Sequence, residues 1–459
     1  MGRVAHCIGM NEKELLADAA ARAIRYLETL PARPVAPTPE AIAALSAFEE
    51  PFPANASDPA ATLRLLDEVG SPATMAMAGS RFFGFVIGGS LPVTLGANWL
   101  AGAWDQNAAI ARATPGVAIV EQVALRWLLD VLRLPPVCAG AFVTGATVAN
   151  LCALAAARHA VLERVGWSVE ADGLFGAPPV TVIVGAEAHP SVTKSLGLLG
   201  LGRTRVVKIP VDGQGRMIAG QLPAVSGPTI ICLQAGNVNT GALDPVGEIC
   251  GRVRGTGAWV HVDGAFGLWA AAAPSRATLV AGMDLADSWA TDAHKWLNVP
   301  YDCGLAFVRD SHALQAAMAI TAEYLPTQSD VRNPCDFTPE LSRRARGVEV
   351  WAALRTLGRA GVAELIERNC AQARRFAGKL SAAGFEILND VVLNQVLVAF
   401  GDAEKTKRVI QALQAEGTCW AGVTVWQGRT AMRISVSSWA TTEADVDRSV
   451  EAIRRCAQR

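Results

Sequence analysis

The chain has 459 residues, 51% of them apolar and 18% charged, and a net charge of −1. That length and apolar content predict a large core split over two or three domains, and the charge balance gives no electrostatic case for nucleic acid or an anionic membrane. None of the ten cysteines forms a C-x-x-C pair, which speaks against a zinc ribbon or thioredoxin motif and predicts reduced thiols in a cytoplasmic protein.

In chain order, the start MGRVAHCIGMNEKELL lacks the apolar core of a secretory signal, and His6 stands where myristoylation wants Ser or Thr. Residues 11–30 predict an amphipathic helix, and PTPEAIAALSAF (37–48) starts another with proline in its first turn. The uncharged stretches Phe82–Trp104 and Leu134–Ala157 are long enough to cross a bilayer, but Gly, Pro, Asn and Thr interrupt both. Buried turns and short elements of a soluble protein account for them. Apolar runs then recur at GAFV (140–143), VTVIV (180–184), TIICL (229–233), AWVHV (258–262) and GLAFV (304–308), with helical stretches such as 148–165 between them. This alternation predicts a mostly parallel sheet covered on both faces. A long helix over 347–384, strands at VLVAF (396–400) and AMRISV (431–436) and a last helix over 442–456 predict a smaller α/β domain.

The chemistry-bearing residues fall at or just after the ends of these strands, where open α/β sheets bind ligands. GAFVTGATVAN opens a helix directly from a glycine turn, so its N–H groups and the Thr147 hydroxyl either form an anion cup or leave Thr147 as an ordinary cap. His189 follows the next strand, as a site residue or a satisfied structural histidine, and Asn237 sits in a Gly-flanked loop that by itself reads as a turn. Asp263 ends an apolar strand and needs a partner, either in an ion pair or cap or on a ring nitrogen that it keeps protonated. In SWATDAHKWLNVPYDCG, Lys295 follows a strand-like run and is flanked by Trp296 and Leu297; apolar surroundings would ease its deprotonation, as a carbonyl-condensing amine requires. Phosphate, pyridinium and aldehyde are the three handles of pyridoxal 5'-phosphate, and each has a partner here.

The motifs GAFVTGATVANL, EAHPSVTKSLGLLG, QAGNVNTGALDP, HVDGAFG and DAHKWLNVPYDCG together resemble the signature blocks of the group II pyridoxal-phosphate-dependent amino acid decarboxylases. The resemblance implies an α/β protein of the type I, aspartate-aminotransferase-like fold, with a mostly parallel seven-stranded sheet in a large domain. The expected domains are an N-terminal helical segment at a dimer interface (1–80), a large cofactor-binding domain (81–345) and a small C-terminal α/β domain (346–459). By the same resemblance Lys295 would join the cofactor aldehyde, Asp263 would pair with the pyridinium, and His189 and Ala265 would lie against the two ring faces. Gly145, Ala146 and Thr147 would hold phosphate, with Asn237 and His294 close by. Tyr324, in AEYLPTQSDVRNPCDF, matches the loop tyrosine that protonates the substrate carbon in the neighbouring subunit's site, and a homodimer is expected.

The implied activity is decarboxylation of an L-amino acid to its amine. The uncharged segment FFGFVIGGSLP suggests an apolar or aromatic side chain, although the usual His-Pro before its paired aromatics is absent. Asn237 stands where many relatives have threonine, and Asp292 replaces an asparagine common in the aromatic-acid members. An aminotransferase with Arg433 near the substrate carboxylate, a carbon–carbon lyase or aldolase, and a non-catalytic cofactor-binding protein are the alternatives. There is no HExxH, and GLGRTR lacks the third glycine of a dinucleotide fingerprint.

Overall fold

The structure, a computed structural model, describes residues 12–320 and 332–458. The five apolar runs become β1 (Ala139–Val143), β2 (Thr181–Gly185), β4 (Thr229–Gln234), β5 (Trp259–Asp263) and β7 (Gly304–Val308). The run before Lys295 is β6 (Ser288–Asp292). The remaining strand, β3 (Val207–Ile209), has three residues of which only Ile209 is buried, too short and too exposed to signal itself by hydrophobicity. These seven form one sheet in the order β1-β7-β6-β5-β4-β2-β3. All pairings are parallel except those of β7, which runs against both β1 and β6. β4 to β7 are buried along their whole length, as expected of central strands covered on both faces.

The helix Ala146–Glu163 follows β1 and packs against the sheet, burying Ala149, Cys152, Ala153 and Ala156 in a core of small side chains. Neither long uncharged stretch is one element. Phe82–Trp104 divides into an irregular segment and the helix Pro92–Trp104, and Leu134–Ala157 divides between β1 and the following helix. No helix among the described residues is long and apolar enough to cross a membrane.

A second, antiparallel sheet contains β8 (Glu386–Ile387), β9 (Gln395–Ala399), β10 (Gly422–Trp426) and β11 (Arg429–Ser435), in the order β10-β11-β9-β8. The expected long helix runs from Gly347 to Ala382 but is interrupted at Gly358, whose φ of 59° breaks the helical path. Val350 and Leu354 before the break and Ile366 after it pack in the core beneath the large sheet; Ala373, Phe376 and Leu380 belong to the core of the second sheet. Phe83 also joins that second core, so the segment after residue 81 ties the two sheets together.

That segment reaches the lysine turn directly. A Cβ on Gly88 would lie 1.9 Å from the Lys295 carbonyl oxygen, so only glycine allows the approach. Asn298 fastens the junction, accepting from Gly89 N and Trp439 N and donating to the Trp296 and Ser437 carbonyls.

Candidate active site

Because β1, β2, β4, β5 and β6 run parallel, the residues at their carboxyl ends converge on one edge of the sheet. His189, Asp263, Ala265 and Lys295 line a cavity of about 250 Å³ there, with Gln234, Phe85, Val86 and Arg433. A larger open cleft of about 910 Å³ lies at the opposite ends of the strands. It is lined by Arg133, Arg164, Arg254 and Arg309 and contains none of the expected site residues.

Asp263 is 4% exposed and has no cationic partner among the described residues. Neutral donors satisfy it: Asn150 Nδ2 and Ser191 Oγ each lie 3.1 Å from Oδ2, and Ala265 N donates to Oδ1 at 3.2 Å. Behind Asn150 runs a buried chain of consistent polarity. Trp259 Nε1 donates to Ser288 Oγ, Ser288 faces His261 Nδ1 at 2.9 Å, and His261 Nε2 lies 2.8 Å from Asn150 Oδ1. The chain works only with a neutral imidazole, and burial pushes the His261 pKa down to about 4.

Acid lability follows from this. The unfolded histidine, with its ordinary value of 6.5, takes up a proton that the folded one refuses. The contribution is therefore fully present above pH 6.5 and is lost as pH falls toward 4, about 3 kcal/mol over that window. Urea midpoints measured from pH 7.5 to 4 should show this slope, and His261→Gln should flatten it; an unchanged slope would mean that the folded imidazole accepts the proton.

His189 has two structural relations. Its Nδ1 caps the helix Pro190–Leu198 by accepting from Ser191 N, and its ring lines the cavity. Ser191 Oγ stands 2.7 Å from that Nδ1 and 3.1 Å from Asp263 Oδ2, with a single hydroxyl proton to share. Burial lowers the His189 pKa, favouring the neutral ring, and an accepting Nδ1 leaves its proton on Nε2.

Lys295 departs in part from expectation. Trp296 and Leu297 turn into the core, Trp296 Nε1 donating to Asn369 Oδ1, so the large apolar flanks do not surround the amine. Its Nζ lies 3.1 Å from Asp292 Oδ2. Asp292 in turn accepts from Ala146 N at 2.6 Å through Oδ1, linking the lysine to the start of the helix after β1. At that start Gly145 is the N-cap and has no side chain to offer, so Thr147 is not the cap. Its hydroxyl has no hydrogen-bond partner among the described residues. The cup is tight: a Cβ on Gly304 would fall 2.4 Å from Gly145 Cα.

Two expected residues stand back from the cavity. Asn237 is buried and serves its own turn, accepting from Asn239 N and Thr240 N and donating to Glu187 Oε2, while its neighbours Gly236 and Val238 line the cavity. His294 lies behind Asp292, accepting from Cys303 N and stacked 4.2 Å from the Tyr301 ring, and burial lowers its pKa. Tyr324 lies outside the described residues.

Sequence reasoning did not single out Asn150, Ser191, Gln234 or His261. For Asn150, Gln234 and His261 the signal is a polar residue at a strongly apolar run, since buried polar atoms require partners. Gln234 is the exception that matters: its Nε2 is buried without a partner and the residue lines the cavity. Arg433 likewise makes no ion pair among the described residues; its one hydrogen bond goes to the Val238 carbonyl, at 3.4 Å. Phe85 and Val86 hold φ of 53° and 60°, a conformation rare for a β-branched residue, at the cavity wall.

The sequence profile of the family described as "Pyridoxal-dependent decarboxylase conserved domain" matches residues 72–401. The chain is 26% identical over 445 residues to an aromatic-L-amino-acid decarboxylase of Bacillus atrophaeus, covering 92% of this chain and 90% of that one. It is 29% identical over 376 residues to an L-2,4-diaminobutyrate decarboxylase of Rhizobium meliloti (strain 1021), covering 77% and 72%. In fold it is similar to the crystal structure of Oryza sativa TDC with PLP and tryptamine, with a TM-score of 0.89, 24% identity, and 98% and 99% of the two chains covered.

Proposed function

The chain belongs to the pyridoxal-dependent decarboxylase family and is a pyridoxal-phosphate-dependent amino acid decarboxylase, and from that premise we propose that the cavity at Lys295 takes an L-amino acid with an apolar or aromatic side chain. The observation that carries this reading is the convergence of Lys295, Asp263, His189 and the unpaired Arg433 on one cavity walled by Phe85 and Val86.

The residues fit the cofactor. Thr147 brings an uncommitted hydroxyl to the helix start, Gln234 an unpartnered Nε2, Asp263 a buried carboxylate, and Lys295 an amine. When bound, the cofactor's conjugated ring supplies the electron sink for the bond that breaks. Lys295 would hold the aldehyde through its amine. Asp263, held by three neutral donors, would face the pyridine nitrogen and favour its protonated form. His189 and Ala265 would lie against the ring, and Gly145 and Thr147 would hold phosphate; the Ala146 N–H, already given to Asp292, serves by positioning that carboxylate beside Lys295. Phe85 and Val86 give the substrate carboxylate an apolar wall, which favours the dispersal of its charge as CO2 leaves. By the family resemblance Tyr324 would donate the proton that replaces CO2, in the site of the neighbouring subunit.

Arg433 remains cationic under its burial and has no carboxylate of its own, so it orients a carboxylate of the substrate. Arg433→Gln should raise KM about 10- to 100-fold with a smaller change in kcat, read from steady-state kinetics. An unchanged KM would place the substrate elsewhere.

A second copy of the chain completes this reading. Trp99, Leu100 and Trp104 on the helix Pro92–Trp104 are exposed, as is Phe85 beside the cavity, and an apolar surface of this kind favours a homodimer with the site near its interface. The described cysteines are all free thiols, in keeping with a reducing, cytoplasmic compartment. The function is tested by incubating the cofactor-loaded enzyme with each proteinogenic amino acid. CO2 and amine from an aromatic or aliphatic substrate are expected; keto acids alone would make the enzyme an aminotransferase.

A further inference from the structure

Away from the cavity, His159, Glu163 and His312 bring one potential ligand atom each to within 4.8 Å of one another. His159 and Glu163 lie one turn apart on the helix Ala146–Glu163, with His159 Nε2 3.6 Å from Glu163 Oε2. His312 stands on the helix Ser311–Met318, which packs along the first, and the two imidazole centroids are 6.0 Å apart.

An independent observation gives this cluster direction. His159 is 8% exposed, and its Nε2 is buried with no hydrogen-bond partner. Its Nδ1 lies 2.7 Å from Glu170 Oε2, a carboxylate also 3.7 Å from Arg158. A carboxylate that accepts the Nδ1 proton fixes the tautomer and leaves the Nε2 lone pair free, which is how proteins orient a histidine for a metal. An imidazolium shared between Glu170 and Glu163 would also occupy His159. The 3.6 Å gap on the Nε2 side is too long for a hydrogen bond, however, and that reading leaves His312 unused.

We propose that His159 Nε2, Glu163 and His312 bind a zinc-class divalent ion, with water as the remaining ligand. Two imidazoles and one carboxylate form a donor set suited to Zn²⁺ and poor for Mg²⁺ or Ca²⁺. Ligands at about 2.0–2.2 Å from the metal stand roughly 3.3 Å from one another. Glu163 and His312 are exposed, so side-chain rotation closes the present gaps without moving either helix. The cup at Gly145 lies at the other end of the same helix, about 25 Å away at 1.5 Å per residue, so the ion takes no part in the amino acid chemistry. It clips the helix after β1 to the helix after β7.

The test is calorimetric titration of tag-free, cofactor-loaded enzyme with ZnCl2, alongside thermal melts. One tight site per chain is expected, with a raised melting midpoint. His312→Ala and Glu163→Gln should each weaken binding at least about 10-fold and remove the thermal shift, while amino acid turnover without zinc stays at the wild-type rate. Glu170→Gln should weaken binding about 10- to 100-fold through His159. Failure to bind zinc, or tight binding that His312→Ala and Glu163→Gln leave unchanged, would overturn the assignment. Both substituted side chains are exposed, so loss of folding does not confuse the result.

Discussion

Lys295→Ala should lower turnover by at least about 10²–10⁴-fold and abolish the visible absorbance of the lysine-linked cofactor. Among the described residues Lys295 brings the one primary amine to the cavity, and Asp292, 3.1 Å from it, ties it to the start of the helix Ala146–Glu163. Removing it leaves the fold intact, because the packing at this turn comes from Trp296 and Leu297, not from the lysine stem. Absorbance spectra and single-turnover assays of the purified variant check the prediction. A variant that kept both the chromophore and full activity would remove Lys295 from the reaction.

Asp263→Asn should bind cofactor yet lose about 10²–10³-fold in kcat. The substitution preserves volume but replaces an anion by a neutral amide, so the ring nitrogen loses the charge that keeps it protonated. It also opposes the Asn150 amide with a second amide, in a chain whose other members donate toward position 263. A loss of stability of about 1–3 kcal/mol accompanies the kinetic effect. The two separate experimentally: denaturant melts report the second, and kcat at saturating substrate reports the first. Wild-type kcat in a destabilised variant would mean that Asp263 only organises the buried chain.

These two predictions also show how far a one-dimensional reading reaches. The five buried strands were legible because each is a run of four or five mostly apolar residues, and β-strands covered on both faces require that. Asp263, His189 and Lys295 were legible because each interrupts such a pattern at a strand's end. β3 was not, since a three-residue edge strand buries one side chain. Nor was the break at Gly358, which a helical hydrophobic pattern passes over. The surroundings of Lys295 were misjudged for a related reason: neighbours in sequence point in different directions on a helical turn, so Trp296 enters the core while the amine meets Asp292.

By itself, then, the order of residues determined the sheet, its cavity-bearing edge and the ionisable groups delivered to it, because apolar periodicity and strand ends are local properties. Only the tertiary structure decided which groups meet. It brought Arg433 from the second sheet and Phe85 from before the first strand into the same cavity, left Gln234 Nε2 without a partner, and turned Asn237 back on its own loop. It also joined Asn150 to His261 across 111 positions. Contacts between such distant parts of the chain depend on how the two cores pack, and no local pattern encodes that packing.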